Sequence, residues 1–205
     1  MFLDAYGTPK EVTPDNLDEY PYDLHGVMLL TSADFEVYIP PRWHGTIYST
    51  EELLDTYRKR FKPDCTLLTF HAFEPYEPEL ICCERCVVEI TVLPAGQTLH
   101  SGTEIVVFLV KIYEVNTLIT KELGTELNFF PNTHHYHVRI MSEGIDILYL
   151  DDKVYGVDSA CYQQQCVHNL LKKLQPLGVK SLSGKPLPEH LSKICRKVDH
   201  NVANK

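Results

Sequence analysis

Between residues 65 and 150 the chain offers six strand-like segments in a row, and this succession restricts its fold more than any other feature. They run over 65–71, 80–93, 103–115, 125–130, 134–141 and 145–150, with almost no helical pattern among them. Pro94-Ala95-Gly96, Gly124, Pro131-Asn132 and Glu143-Gly144 punctuate them as turns. The second half of 80–93 alternates: Cys86, Val88, Ile90 and Val92 share one face, Arg85, Glu89 and Thr91 the other. The 103–115 segment is apolar on both faces, which predicts a central strand. Upstream, 26–30 and 35–39 read as a short hairpin across the polar turn Thr31-Ser32-Ala33-Asp34.

Helical signals flank this run. Ser49-Thr50-Glu51-Glu52 is a capping box, a hydroxyl followed three residues later by Glu, and predicts a helix over 49–61. Leu53, Leu54, Tyr57 and Phe61 form its apolar side, and Lys62-Pro63-Asp64 ends it. Near the end the period changes to helical: Ala160, Gln164, Val167, Leu171 and Leu174 predict one helix, and Leu191, Ile194, Cys195 and Val198 a second. The expected organisation is an irregular, Tyr- and Pro-rich arm over 1–24, a β-rich core over 25–156 and a helical segment over 157–205. The fold class is α+β, mostly antiparallel β, with a barrel or sandwich core and flanking helices.

Charge narrows the partners. With 28 acidic against 19 basic residues the chain carries a formal −9, which argues against nucleic acid or an anionic membrane, since both recruit clustered Lys and Arg. No apolar stretch reaches membrane-spanning length. Residues 1–10 carry Asp, Gly and Pro where an export signal would need a basic segment and an apolar run, so an intracellular location, cytoplasmic or nuclear, is expected. The seven scattered cysteines then read as reduced thiols. Cys82, Cys83 and Cys86 invite a zinc reading, with Cys161, Cys166 and His168 as the other grouping, but zinc usually takes two turn-borne pairs.

One constellation has the residue types for metal chemistry. His100 follows the turn at 94–99, and His134, His135 and His137 follow Phe129-Phe130-Pro131-Asn132-Thr133. The segments 87–100 and 124–134 resemble the two motifs of the cupin superfamily. That resemblance implies a double-stranded β-helix and a centre holding Fe, Mn, Ni or Zn through His and Glu. The family's second His of the first motif corresponds to Gly102, so the ligands transferred are His100, Glu104 and one of His134 and His135. Strand parity favours His134, which shares the face of Tyr136, Val138 and Ile140. Glu104 shares parity with Val106, Phe108 and Val110. The alternative is that these are ordinary surface or hydrogen-bonded histidines.

Trp43, the one tryptophan, and Arg42 stand in Pro40-Pro41-Arg42-Trp43-His44 as candidate anchors for a protein partner. A homodimer is plausible for a closed barrel. With the ligand set incomplete, the sequence reads first as a non-catalytic protein-interaction domain. The alternative is a cupin-like metal-dependent oxygenase or isomerase acting on a small molecule, and a further one is a zinc-stabilised structural module.

Overall fold

The computed structural model describes residues 1–15, 26–34, 37–40, 43–63, 67–97, 101–120, 144–150, 181–182 and 185–186. Their strands form two mixed sheets. The first comprises β1 (Phe2–Leu3), β2 (Pro9–Lys10), β3 (Gly26–Leu29), β4 (Gly45–Ser49) and β5 (Leu68–Ala72), in the order β2-β1-β3-β4-β5. The second comprises β6 (Pro78–Cys82), β7 (Val87–Gln97), β8 (Glu104–Ile112), β9 (Val115–Thr120), β10 (Ile147–Leu150), β11 (Ser181–Leu182) and β12 (Lys185–Pro186). Its order is β12-β11-β10-β9-β8-β7-β6. Helix α1 (Glu51–Phe61) links β4 to β5 and touches both, as well as β8.

Among the described residues the sheets are open rather than closed into a barrel, and they are mixed, with six antiparallel and four parallel strand pairings. β3, β4 and β5 run parallel, as do β9, β10 and β11. One apolar cluster joins Phe2, Leu3, Met28, Leu29 and Ile47 of the first sheet to Val88, Ile90, Val92, Val106, Phe108, Val110 and Ile119 of the second. That shared core makes the arrangement sandwich-like. The alternation expected in β7 is present, with Val88, Ile90 and Val92 facing this core. Ile105, Val107 and Leu109 on the other face of β8 are buried too, as its apolar character on both faces predicts.

Several boundaries move. Among the described residues 26–30 shows no strand pairing with 37–39. β3 instead pairs in parallel with β4, a strand the sequence reading omitted, and antiparallel with β1. The start of the chain is therefore in the sheet, with Met1, Phe2 and Leu3 all buried. The long segment 80–93 divides into β6 and β7 at the turn Cys83-Glu84-Arg85-Cys86, and 103–115 ends in a tight hairpin with Tyr113 at a φ of 53°. Both turns lack the Gly and Pro punctuation that marks most turns, so apolar pattern alone ran through them.

α1 follows its prediction closely. Leu53, Leu54 and Tyr57 are buried, and Lys62 closes the helix in the left-handed conformation. The cap shifts by one residue: Thr50, not Ser49, accepts a hydrogen bond from Leu53 N. The strands expected at 125–130 and 134–141 and both C-terminal helices lie outside the described residues.

Candidate functional site

Three parallel strands end together where β3, β4 and β5 deliver Leu30–Asp34, Thr50 and Phe73 to one edge of the first sheet. In open α/β sheets such carboxyl ends are where ligands bind, because loops and helix N-termini converge there with polar groups. The second sheet reaches the same edge through the start of β8. Ser32 bridges to Ile105, and Val106 N donates to Thr31 O at 3.0 Å. Glu104 is thereby brought beside the N-terminus of α1.

A short side-chain hydrogen bond adds to these contacts: Thr50 Oγ1 donates to Glu104 Oε2 at 2.6 Å. The same hydroxyl caps α1 by accepting from Leu53 N at 3.4 Å. Ser49, displaced from the cap, donates to Leu30 O at 2.7 Å and ties β4 to the end of β3. Glu104 Oε1 carries no hydrogen bond among the described residues. Partial burial raises the Glu104 carboxyl above its ordinary range. The Thr50 hydrogen bond opposes that rise, and the negative charge of Glu52 adds to it.

This shift has a consequence for stability. A carboxyl that titrates higher in the folded state contributes stability that is complete below its unfolded range and is lost as pH rises through the folded value. Urea midpoints taken from about pH 4 to about pH 8 are expected to fall more gently in Glu104→Gln than in the unaltered protein. Parallel curves would contradict the burial assigned to this carboxyl.

A second polar group stands on the same edge. Asp34 receives Ser101 Oγ at 2.5 Å and the Arg60 guanidinium at 3.2 Å, while its own N–H donates to Ser32 Oγ at 3.2 Å. Ser101 also contacts Thr103 Oγ1 at 2.7 Å. Arg60, from the last turn of α1, further donates to Ala33 O at 3.1 Å. The loop after β3, the helix and the approach to β8 are thus bound together around one carboxylate.

Of the three expected metal ligands, Glu104 stands in this region, whereas His100 and His134 lie outside the described residues, as does Arg42. Among the described residues no three His, Cys, Asp or Glu side chains come together to hold a metal ion. Trp43 is 7% exposed and packs edge-on against Phe2, with ring centroids 5.1 Å apart. Its indole lies where a Cβ on Gly45 would stand, 2.6 Å from Cζ2, so the ring belongs to the core. Sequence reasoning missed Thr50, Asp34, Ser32 and Ser101. The one available signal was the hydroxyl and carboxylate content of Thr31-Ser32-Ala33-Asp34, which read as a turn.

Among the described residues no helix is long and apolar enough to cross a membrane. No protein-family model matches the sequence, and no curated protein matches it. Solved structures do share the fold. Unliganded yeast PDE1 superposes with a TM-score of 0.51 at 10% identity, covering 86% of this chain and 63% of its own. Igni18, a metallo hydrolase from the hyperthermophilic archaeon Ignicoccus hospitalis KIN4/I, superposes with a TM-score of 0.54 at 11% identity, covering 93% of this chain and 78% of its own. This chain therefore spans less than two thirds of the PDE1 chain it matches.

These neighbours change two readings. They are not cupins by description, and with two open sheets the double-stranded β-helix suggested by the cupin resemblance is not supported. The first reading of the chain, a non-catalytic interaction domain, is overturned by the same finding: its architecture is shared with PDE1 and a metallo hydrolase.

Proposed function

We propose that the chain is a metal-dependent hydrolase whose reaction cleft lies at the carboxyl ends of β3, β4 and β5. The observation that carries this reading is the half-buried Glu104 carboxylate, anchored through one oxygen by Thr50 and without a hydrogen bond at the other among the described residues, in a fold shared with a metallo hydrolase. Glu104 with His100 and His134 would hold the ion. A mixed imidazole and carboxylate set suits Zn, Fe, Mn or Ni. When bound, such an ion supplies a water acidic enough to attack an ester at neutral pH.

The chain's own residues have definable tasks in this reading. Thr50 fixes the direction of the Glu104 carboxyl and caps α1. The Asp34–Arg60–Ser101 group holds the loop after β3 against the approach to β8. Fixing both loops limits motion at the reacting centre, which small displacements would penalise.

Purified protein offered Zn²⁺, Mn²⁺ or Fe²⁺ is expected to take up roughly one equivalent. It should then hydrolyse at least one of p-nitrophenyl acetate, p-nitrophenyl phosphate and bis(p-nitrophenyl) phosphate, with turnover abolished by a chelator. Failure to bind any of the three ions, together with no turnover across the panel, would refute the proposal.

A further inference from the structure

The turn between β6 and β7 carries a pair of thiols that the hydrolase reading does not use. The register pairs Cys82 with Val87, so the next facing residues are Cys83 and Cys86, joined through Glu84 and Arg85. Cys83 N donates to Cys86 O at 2.9 Å. Facing residues in an antiparallel pair stand about 4.5–5.5 Å apart at Cα. A disulfide spans roughly 4.4–6.8 Å between the same atoms. Both cysteines are free, and the Cys86 thiol lies 3.9 Å from Ala5 O. Cys82, one residue earlier, projects from the opposite face of the strand and stays outside the pair.

We propose that Cys83 and Cys86 form a dithiol–disulfide couple, oxidised by low-molecular-weight disulfides of the glutathione class. The order of events follows from the environment of each thiol. Burial pushes the Cys83 thiol up to about 12 and raises the Cys86 thiol too, by less. Cys86, as thiolate, attacks one sulfur of the small disulfide, and the departing thiolate takes up a proton. Cys83 then loses its proton and attacks the Cys86 sulfur, releasing the second small thiol. Two protons and two electrons pass from the protein to the oxidant, which becomes two thiols.

The pair sits where the sheets are tied together. Arg85 N donates to Ala5 O at 3.0 Å, and the Arg85 guanidinium donates to the Tyr6 hydroxyl while lying 5.2 Å from the centre of its ring. Gly7 has a φ of +77°, and a Cβ there would meet Val88 Cγ1 at 2.4 Å and Cys86 Sγ at 3.4 Å. A bridge between Cys83 and Cys86 would hold the hairpin tip in the shape that receives this N-terminal turn. It closes a very short ring, so its effect on the unfolded chain is small and chemistry is the better readout.

The test equilibrates the native full chain with graded mixtures of reduced and oxidised glutathione, quenches with acid, alkylates, and digests with trypsin without reduction. Cleavage after Arg85 separates the two cysteines, so a bridge appears as two joined peptides lighter by two hydrogens. The expected result is loss of alkylation at Cys83 and Cys86 together, retained in Cys82→Ala and absent in Cys83→Ser and Cys86→Ser. Three outcomes would overturn the proposal: a bridge that includes Cys82, glutathione persisting as a mixed disulfide at this turn, or full alkylation of both cysteines at the most oxidising ratio.

Discussion

Phe108→Ala is expected to lower the unfolding free energy by about 3–5 kcal/mol, the usual cost of deleting a fully buried aromatic ring. Phe108 is fully buried in β8, a strand flanked by β7 and β9. Its register partners are Val92 and Ile119, both at zero exposure, and Phe73 meets its ring edge-on at 6.3 Å. Because Phe73 follows β5, the ring joins the two sheets, and its loss leaves a void that neither strand can close alone. Urea denaturation should show the midpoint falling with little change in slope. Tyr113→Ser, at a residue 81% exposed, should stay within about 0.5 kcal/mol of the unaltered protein. A Phe108 variant as stable as the Tyr113 variant would mean that the sheets do not share this core.

Thr50→Val should cost about 2–3 kcal/mol, more than an ordinary cap, because the hydroxyl has two tasks. Valine keeps the volume but cannot accept from Leu53 N or donate to Glu104. Losing the cap accounts for about 1 kcal/mol, and the remainder comes from leaving a half-buried carboxylate without its donor. A double-mutant cycle with Glu104→Gln separates the parts. The second part should shrink when the charge is absent, so the two changes should cost less together than separately. Simple additivity would show that the hydrogen bond across the sheets contributes nothing.

Those two positions also show what was legible in the sequence. Phe108 was placed by alternation and by the doubly apolar character of its strand, and α1 by its capping box and its 3.6-residue periodicity. Glu104 was reached through a cupin resemblance that the fold does not support, yet its parity with Phe108 was correct, since strand parity is independent of family. Thr50 was passed over because the neighbouring hydroxyl of Ser49 satisfies the same capping pattern, and only the contact with Leu30 O removes Ser49 from that role. Parallel pairing of β3 with β4 could not be read locally. It depends on a crossover between segments well separated in the chain, whereas the turn at 31–34 offered a hairpin close by. Asp34 and Ser101 meet across 67 positions, and no short pattern carries such a contact.

The reaction cleft itself is tested most directly by comparing metal-loaded protein with Glu104→Gln, His100→Ala and His134→Ala, using whichever chromogenic ester is turned over and checking each fold by circular dichroism. The account predicts that turnover drops about 10²-fold or more in all three variants, with bound metal falling in parallel. Turnover within about twofold of the unaltered protein in all three, with the fold intact, would contradict it and move the reaction elsewhere on the molecule.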